Sequence, residues 1–288
     1  MAAELENWIR NVAQELDLGQ LSSLHALAGG SINQVFVGHF EHGKKVLKFN
    51  ASPPKDFFEA EKDGLHALSQ TTSEVMVPST NYTDHHGLVM EYVEPATFND
   101  QIQERLGRSL AAIHKTSSGD FGWHRDNYIG ILPQLNEPKA SWWEFFCECR
   151  LMPMVRRTTT LMSSEDQKRF TYLYSVGEKW FPKEPPSLLH GDLWAGNAFA
   201  GKQGQNSLPV IIDPAVYYGH REMDIAMTRM FGGFNQSFYQ AYHEVYPLEK
   251  GWEERLALCN LYPLLVHLEL FGLSYLKEIR TVLSNFGL

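Results

Sequence analysis

The sequence predicts an α+β protein with two lobes, an N-terminal lobe made of an antiparallel sheet with one helix and a C-terminal lobe that is mainly helical. Short β-rich segments separated by turn residues dominate residues 24–93. Apolar residues at helical spacing dominate the chain after Pro95. A length of 288 residues fits about two domains of roughly 150 residues each. We therefore place the lobes at residues 1–93 and 94–288, packed across one cleft.

The N-terminal lobe is predicted to begin with a glycine turn and a hairpin. The segments LHALAGG, QVFVGHF and KVLKF are predicted strands, and a turn at residues 41–44 joins the last two. After Pro53 and Pro54, helical spacing predicts one helix beside the hairpin, marked by Phe57, Phe58, Glu61, Leu65 and Leu68. Strands near residues 74–80 and at 87–93 complete a sheet of about five strands.

The C-terminal lobe is predicted to open with a helix that ends near His114. Its buried face is formed by Ile102, Leu106, Leu110 and Ile113. Further helices are predicted at residues 141–160, 164–181 and 221–246, with a final helical region from about 252 to 285, around a short strand-like island at 187–213. The apolar stretch 256–276 is interrupted by Pro263, His267 and Glu269, which favours a pair of buried helices over a membrane span.

Composition and charge narrow the classes of function. The formal net charge of −9 argues against nucleic-acid binding, which needs clustered Lys and Arg against phosphates. The cysteines, Cys147, Cys149 and Cys259, lack zinc-ligand spacing and fit a reducing cytoplasm. Charged residues near the N-terminus interrupt the apolar run that a signal peptide needs. We expect a cytoplasmic protein with neither a nucleic-acid nor a membrane partner; the sequence does not predict its oligomeric state.

The strand-like island carries three polar residues at a restrictive spacing. It reads SLLHGDLWAGNAFA and then PVIIDPA, which places Asp192 and Asn197 on a loop and Asp213 at the end of the following strand. Carboxylate and amide oxygens are the ligands that Mg²⁺ shares with nucleotide phosphates, so Asn197 and Asp213 are the predicted metal ligands. Asp192 precedes Asn197 by five residues, the spacing of a kinase catalytic loop, and is the predicted base. A single Asp-Gly or Asp-Pro pair usually marks a turn, but the ordered set is far more restrictive.

Lys48 and Glu61 are predicted to form a phosphate clamp. Lys48 lies in the strand VLKF, and Glu61 follows thirteen residues later on the predicted helix. A lysine over the cleft neutralises nucleotide phosphates while the glutamate holds its rotamer. Glu59 competes for this role, and helical steps to Leu65 favour Glu61. The ordinary alternative is a surface salt bridge worth about 0–1 kcal/mol.

Gly29, Gly30 and Ser31 form a candidate phosphate loop just before the hairpin. They expose backbone N–H groups with little steric bulk. The sequence nearby has neither a full GxGxxG motif nor a Walker A lysine, and a Gly-Gly pair is often only a turn. Together with Lys48 and Asp213, this loop predicts ATP and Mg²⁺ as cofactors.

Four segments, FEAEKDGLHAL, LLHGDLWAGN, IIDPA and YYGHREMDIAM, resemble the fructosamine/ketosamine kinase family, whose protein-kinase-like fold is related to that of aminoglycoside phosphotransferases. AGGSIN is similar to the family's phosphate loop, and LVMEYVE to its interlobe segment, which assigns Glu91 to the nucleotide site. The resemblance extends through most of the chain, including FGWHRDNYIGILPQ before a tryptophan-rich helix.

This resemblance implies ATP-dependent phosphorylation of the third-carbon hydroxyl of a ketoamine, either a small molecule or a glycated protein lysine, which destabilises the adduct and removes glycation. It also implies the same roles for Asp192, Asn197, Asp213, Lys48 and Glu61. Some relatives have a phosphate-loop cysteine where this chain has Ser31, so a regulatory disulfide is not expected here.

Several neighbouring residues have supporting or open roles. His190 is predicted to support the catalytic loop through hydrogen bonds, and Asp224 to brace the loop backbone from the next helix. Trp194 either stacks on the substrate or packs internally. The cluster Trp142, Trp143, Phe145 and Phe146 is expected in the core.

Three alternatives stay open. The nearest is a phosphotransferase acting on an aminoglycoside, choline or another amino alcohol, which shares the HGD, Asn and IIDP elements. A protein kinase is disfavoured because Pro-Ala rather than Phe-Gly follows Asp213 and no APE segment closes an activation loop. A noncatalytic nucleotide-binding module with this fold is the third, because fold does not guarantee activity.

Overall fold

The computed structural model describes residues 2–27, 32–72 and 74–288. Its N-terminal part forms a five-stranded antiparallel sheet in the order β1-β2-β3-β5-β4. The strands are β1 (Leu21–Ala26), β2 (Gln34–Phe40), β3 (Gly43–Phe49), β4 (Thr80–Thr83) and β5 (Gly87–Glu91). Lys48 lies on the central strand β3, opposite Val35 and Leu88. The predicted antiparallel sheet is therefore present, with the candidate clamp lysine at its centre.

Two helices cover this sheet, α1 (Ala2–Glu15) and α2 (Phe57–Ser69). Trp8 and Val12 of α1 pack with Leu47 and Val89. Phe58 of α2 packs in a separate cluster with Phe57, Leu65, Leu88 and Met90. The sequence analysis did not predict α1, although Trp8, Ile9 and Val12 have helical spacing. Burial of the sheet's outer face against α1 explains why this short segment forms a helix.

The chain after Glu91 is mainly helical, as predicted. Its helices are α3 (Asp100–His114), α4 (Trp142–Phe145), α5 (Met152–Arg157), α6 (Ser164–Val176), α7 (Glu222–Met230), α8 (Gln236–Val245), α9 (Trp252–Cys259), α10 (Leu261–Phe271) and α11 (Leu276–Asn285). Residues 146–151 between α4 and α5 form a π-helical turn. In the described part of the chain, none of the helices combines the length and apolarity that crossing a membrane requires. The predicted α+β class is confirmed, while the lobe boundary at residues 93/94 stays a prediction.

Short antiparallel strands connect these helices. They are β6 (Pro95–Ala96), β7 (Asn127–Ile129), β8 (Leu132–Gln134), β9 (Ser187–Leu189), β10 (Ala198–Gln203), β11 (Asn206–Ile211) and β12 (Tyr217–Gly219). β10 pairs with β11 and β6, β9 pairs with β12, and β7 pairs with β8. β9 and the β10–β11 hairpin flank the loop that carries Asp192 and Asn197.

Two predicted element boundaries were wrong. The helix predicted at 221–246 is interrupted at Gly232 and Gly233, whose positive φ values of 69° and 93° cannot continue a right-handed helix. The helical region predicted at 252–285 is present as α9, α10 and α11, and Gly272, with a φ of 88°, ends α10. The strand predicted at 74–80 begins only at Thr80, because the preceding segment instead forms a bridge from Met76 to Val210 of β11.

Candidate active site

A single cavity of about 470 Å³ brings most of the predicted site residues together. It lies where α2 and β3 face the loops that follow β9 and β11. The predicted residues that line it are Lys48, Glu61, Asp192, Trp194, Asn197 and Asp213. Residues that the sequence predicts to act together therefore share one cavity, despite separations of up to 165 positions along the chain.

Lys48 occupies the centre of this arrangement. Its side chain is buried, and its Nζ donates to Glu61 Oε1 at 2.5 Å and to Asp213 Oδ1. Burial alone would lower the Lys48 pKa, but attraction by Asp213 and Glu61 outweighs it and raises the pKa. Lys48 is therefore a fixed positive charge that links a helix of the N-terminal part to the loop after β11.

Glu61 of helix α2, rather than Glu59, pairs with Lys48. The side chain of Glu61 is largely buried at the ion pair, whereas Glu59 forms no ion pair with Lys48. One turn later, a Cβ on Gly64 would lie 3.2 Å from Pro214 and from Val216. Because glycine occupies this position, α2 packs tightly on the segment that follows Asp213.

Asp192 lies on a tight loop that requires glycine immediately before it. Gly191 has a φ of 83°, and a Cβ there would lie 2.0 Å from the carbonyl oxygen of Ala215. Asp224 of α7 accepts hydrogen bonds from the backbone N–H groups of His190 at 2.7 Å and of Gly191 at 2.9 Å. Asp224 thus contacts the loop backbone, where the sequence analysis placed it.

Two histidines complete the support of this loop. His190 Nε2 donates to the carbonyl oxygen of Ile212 at 3.0 Å, which ties the loop to the residue before Asp213. Burial lowers the pKa of His190, so a neutral ring holds this contact. His114 Nε2 lies 3.1 Å from Asp224 Oδ2, and its Nδ1 lies 2.8 Å from the hydroxyl of Tyr242. These contacts fix the backbone of the loop, and the side chain of Asp192 lines the cavity.

Asn197 orients Asp192. Its Nδ2 donates to the backbone carbonyl of Asp192 at 2.9 Å and to Asp192 Oδ2 at 3.1 Å. Burial and the nearby charge of Asp213 raise the pKa of Asp192. A carboxylate whose pKa is raised is a better proton acceptor than an ordinary surface aspartate.

Asp213 adopts a left-handed backbone conformation, with a φ of 57°. Aspartate tolerates this region better than most residues, and strained backbone of this kind is typical of functional sites. The turn directs the carboxylate toward Lys48, and the side chain remains 41% exposed. Asp213 therefore keeps ligand capacity beyond its ion pair.

The donor set fits a magnesium ion that is shared with a nucleotide. Asn197 donates both of its side-chain hydrogen bonds from Nδ2 to Asp192. Within the described residues its Oδ1 has no hydrogen-bond partner, so this oxygen is available to a metal ion. The part of the chain that the structure describes contains no cluster of three or more His, Cys, Asp and Glu side chains suited to a metal ion. Mg²⁺ usually binds through one or two protein oxygens with phosphates and waters, and Asn197 with Asp213 matches that pattern.

Glu91 is a predicted site residue that lies apart from this group. Glu91 ends β5 with an exposed side chain that accepts from Ser79 Oγ at 3.1 Å, and it lines a separate polar depression rather than the cavity. Gly29, Gly30 and Ser31 lie outside the described residues. Trp194 lines the cavity, is 38% exposed and contacts Phe231 edge to face.

The segment around β7 and β8 contributes residues that the sequence analysis did not single out. Asn127 donates to the carbonyl oxygen of Val216 at 2.7 Å, and Gln134 donates to that of Ala215 at 3.1 Å. Both side chains are buried, so they fix the backbone that follows Asp213. The sequence signal that could have identified them is the presence of polar residues at the two ends of the short apolar hairpin NYIGILPQ.

The same segment also holds α2. Asp63 of α2 accepts from Trp123 Nε1 at 3.2 Å and lies 2.9 Å from His124 Nε2. The hydroxyl of Tyr128 donates to the carbonyl oxygen of Lys55 at 2.7 Å, just before α2. We call these contacts, made by Trp123, His124 and Tyr128, the α2 clamp. They link the helix that carries Glu61 to the C-terminal part of the chain.

Comparison with known proteins gives consistent similarities. Residues 4–287 match the family model described as fructosamine kinase. A protein named probable ketoamine kinase in Enterococcus faecium is 39% identical over 286 residues, covering 96% of this chain and 99% of its own length. The chloroplastic protein-ribulosamine 3-kinase of Arabidopsis thaliana is 34% identical, covering 99% of this chain and 89% of its own.

Comparison with solved structures gives similarities to the same family and to a wider group with the same fold. One assigned as a fructosamine-3-kinase, from Thermobifida fusca, superposes with a TM-score of 0.85 at 31% identity, covering 95% of this chain and 97% of its own. An ADP-bound aminoglycoside phosphotransferase, APH(2'')-Ib, has a TM-score of 0.64 at 14% identity, covering 96% and 95% of the two chains. This second likeness shows a shared fold only.

Proposed function

The chain belongs to the fructosamine kinase family and is a kinase, and we propose that its cavity transfers the γ-phosphoryl group of ATP to the third-carbon hydroxyl of a ketoamine. The observation that carries this proposal is the position of Lys48, which meets Glu61 and Asp213 in the cavity that also contains Asp192 and Asn197. Phosphoryl transfer needs little covalent chemistry from a protein and depends on positioning and charge.

We assign the roles as follows. Lys48, held by Glu61, binds the nucleotide phosphates, and Asn197 with Asp213 holds Mg²⁺, which neutralises charge on the phosphates when bound. Asp192 accepts the proton of the acceptor hydroxyl while Asn197 and the braced loop hold its carboxylate in position. Gly29, Gly30 and Ser31 are proposed to contact the phosphates through their backbone. Glu91, the last residue of β5, is proposed at the nucleotide site only through the likeness of LVMEYVE to the family's interlobe segment.

The acceptor is proposed to be a ketoamine, as either a small molecule or an adduct on a protein lysine. Phosphorylation of the third-carbon hydroxyl destabilises the adduct, so the reaction would remove the sugar from the glycated amine. We propose that the protein is cytoplasmic. In that reducing compartment the buried free thiols of Cys147, Cys149 and Cys259 stay reduced.

A substrate panel tests this function. ADP release should be measured with ATP and Mg²⁺ and with four-, five- and six-carbon ketoamines, an aminoglycoside and choline at matched concentrations. We expect turnover with at least one ketoamine and none with the aminoglycoside or choline. Turnover with only the aminoglycoside or choline would support the amino-alcohol phosphotransferase instead. ATP binding by calorimetry without turnover on any acceptor would support a noncatalytic module.

The α2 clamp gives a separate prediction. Asp63→Ala removes the carboxylate that Trp123 and His124 share, which should free α2 and loosen the Lys48–Glu61 pair. Loss of such contacts costs about 1 kcal/mol, equivalent to about fivefold in an equilibrium constant. We expect the KM for ATP to rise by about this factor while the KM for the acceptor changes less. Asp120→Ala, at an exposed aspartate outside the clamp, is the matched control. Equal behaviour of the two variants would exclude a role for the clamp.

A further inference from the structure

The largest fully buried side chain of the described residues is a cation, Arg150. It lies in the π-helical turn at residues 146–151, a kind of turn that is frequent at functional sites. Its guanidinium donates to the carbonyl oxygens of Leu135 and Cys149 and to Asn136 Oδ1 at 2.8 Å, and none of these acceptors is a carboxylate. A buried cation without a carboxylate partner costs stability, which indicates a role beyond packing.

Three aromatic rings fix the plane of this guanidinium. Its Cζ lies 3.9 Å from the ring centroid of Tyr217, 4.6 Å from that of Phe145 and 5.4 Å from that of Tyr262. Arginine stacks on ring faces because its charge is planar and delocalised. Tyr217 belongs to β12 and pairs with Leu189 of β9, the strand that leads into the catalytic loop. Arg150 is therefore held against the strand pair that carries this loop.

A chain of two buried amides connects Arg150 to the segment that follows Asp213. Asn136 accepts from the guanidinium through Oδ1, so only its Nδ2 can donate, and it donates to Asn127 Oδ1 at 2.9 Å. The Nδ2 of Asn127 then donates to the carbonyl oxygen of Val216 at 2.7 Å. Because the guanidinium has only donors, it determines the orientation of both amides along this chain.

The segment held by this chain lies between the two proposed catalytic carboxylates. Val216 follows Asp213 by three residues, and the N–H of Ala215 donates to the carbonyl oxygen of His190 at 2.8 Å. Asp213 itself has a φ of 57°, and a strained conformation persists only where the surrounding structure holds it. The position of the Asp213 carboxylate therefore depends on how firmly the residues after it are held.

We propose that Arg150 is a positioning residue for Asp213, the proposed Mg²⁺ ligand, and that it acts through Asn136 and Asn127 on the backbone of Val216. This inference rests on the proposed function, because it concerns the residue to which we assign the metal. Arg150 does not line the cavity, so its effect reaches the site only through other residues. Loss of the chain should weaken the contribution of Mg²⁺ to ATP binding and leave the other nucleotide contacts in place.

Two variants break the chain in different ways. Arg150→Lys keeps the charge, but an ammonium group cannot replace the planar fork that reaches Asn136 and two carbonyl oxygens together. Asn136→Asp gives the buried guanidinium a carboxylate partner and should preserve the fold. The second oxygen of this carboxylate then faces Asn127 Oδ1. Repulsion between the two oxygens, or rotation of the Asn127 amide to relieve it, removes the bond to Val216.

The measurement is ATP affinity by calorimetry in Mg²⁺ and in EDTA, together with the unfolding temperature. We expect the strengthening of ATP binding by Mg²⁺ to fall about three- to tenfold in each variant, the range for loss of one hydrogen bond. The dissociation constant in EDTA should stay within about twofold. Both substitutions act on one path, so the double variant should lose no more than the more affected single variant. A purely structural role would lower the unfolding temperature without changing the dissociation constants of the folded molecules.

Arg280→Lys is the matched control. Arg280 donates two hydrogen bonds to Asp166 and lies outside the cavity lining, so this variant should keep both dissociation constants even if it unfolds at a lower temperature. If Asn136→Asp folds and keeps the strengthening by Mg²⁺ within about twofold, or if the losses add in the double variant, the inference is wrong and the proposed function still stands. Failure of both single variants to fold would assign Arg150 to stability alone and would equally overturn it. If Mg²⁺ does not strengthen ATP binding to the unmodified protein, the metal assignment fails and this inference fails with it.

Discussion

Asp192→Ala is expected to lower kcat by about 10²- to 10⁴-fold while affinity for ATP stays within about twofold of the unmodified protein. Asp192 accepts a hydrogen bond from Asn197 and forms no ion pair with Lys48. Lys48, the proposed phosphate ligand, pairs with Glu61 and Asp213. The proposed base therefore acts on the acceptor hydroxyl, and the nucleotide phosphates depend on other residues. Removal of the base should slow the chemical step without removing a contact to ATP.

Asp192→Asn separates loss of the base from loss of packing. The amide keeps an oxygen that can accept from Asn197 Nδ2, but it cannot accept the proton of the acceptor hydroxyl. We expect Asp192→Asn to lose turnover as severely as Asp192→Ala while unfolding at the temperature of the unmodified protein. Coupled assays of ADP release give kcat, and calorimetry gives the dissociation constant for ATP. Equal loss of turnover and of ATP affinity in both variants would contradict this role.

Asp213→Asn is expected to weaken ATP binding in the presence of Mg²⁺ by about tenfold or more, because the substitution removes the anionic ligand proposed for the metal. Asparagine is the appropriate replacement, since it tolerates the φ of 57° at this position better than alanine does. The variant therefore changes charge with little change in backbone strain. Lys48 keeps Glu61 as a partner, so the lysine does not become an unpaired buried cation.

The measurement is a comparison of ATP affinity by calorimetry in Mg²⁺ and in EDTA. For the unmodified protein, Mg²⁺ should strengthen binding, and in Asp213→Asn this enhancement should largely disappear. Asp126→Asn, at an aspartate outside the cavity lining, is a control for a change of one charge. Normal Mg²⁺-dependent binding in Asp213→Asn would show that the metal ligand has been misassigned.

The polar residues that share the cavity could be identified from the sequence because each belongs to a short pattern. Asp192 and Asn197 are five residues apart on one loop, and Glu61 lies on α2, thirteen residues after Lys48 on β3. The first spacing depends on the geometry of one loop, and the second on the connection between one strand and the helix that follows it. The α+β class was predictable for the same reason, since period-two and period-3.6 patterns occupy different parts of the chain.

The contacts that position α1, α2 and α10 against distant segments were not predicted from the sequence. The α2 clamp joins Trp123 to Asp63 across 60 positions, and α1 forms a helix that buries Trp8 against the sheet. His267 was noted only as an interruption of an apolar stretch. Its place beside Phe231 depends on how α7 and α10 pack, and the sequence contains no periodic signal for that packing.

The sequence by itself determined the fold class, the kinase-type set of polar residues and the family resemblance, because these depend on residue identity at short spacings. Only the tertiary structure decided that Asp213 is a direct ion-pair partner of Lys48 and that α2 is held from the other side of the cavity. The physical reason is that side-chain packing between remote elements, rather than local propensity, selects which surfaces face the cavity.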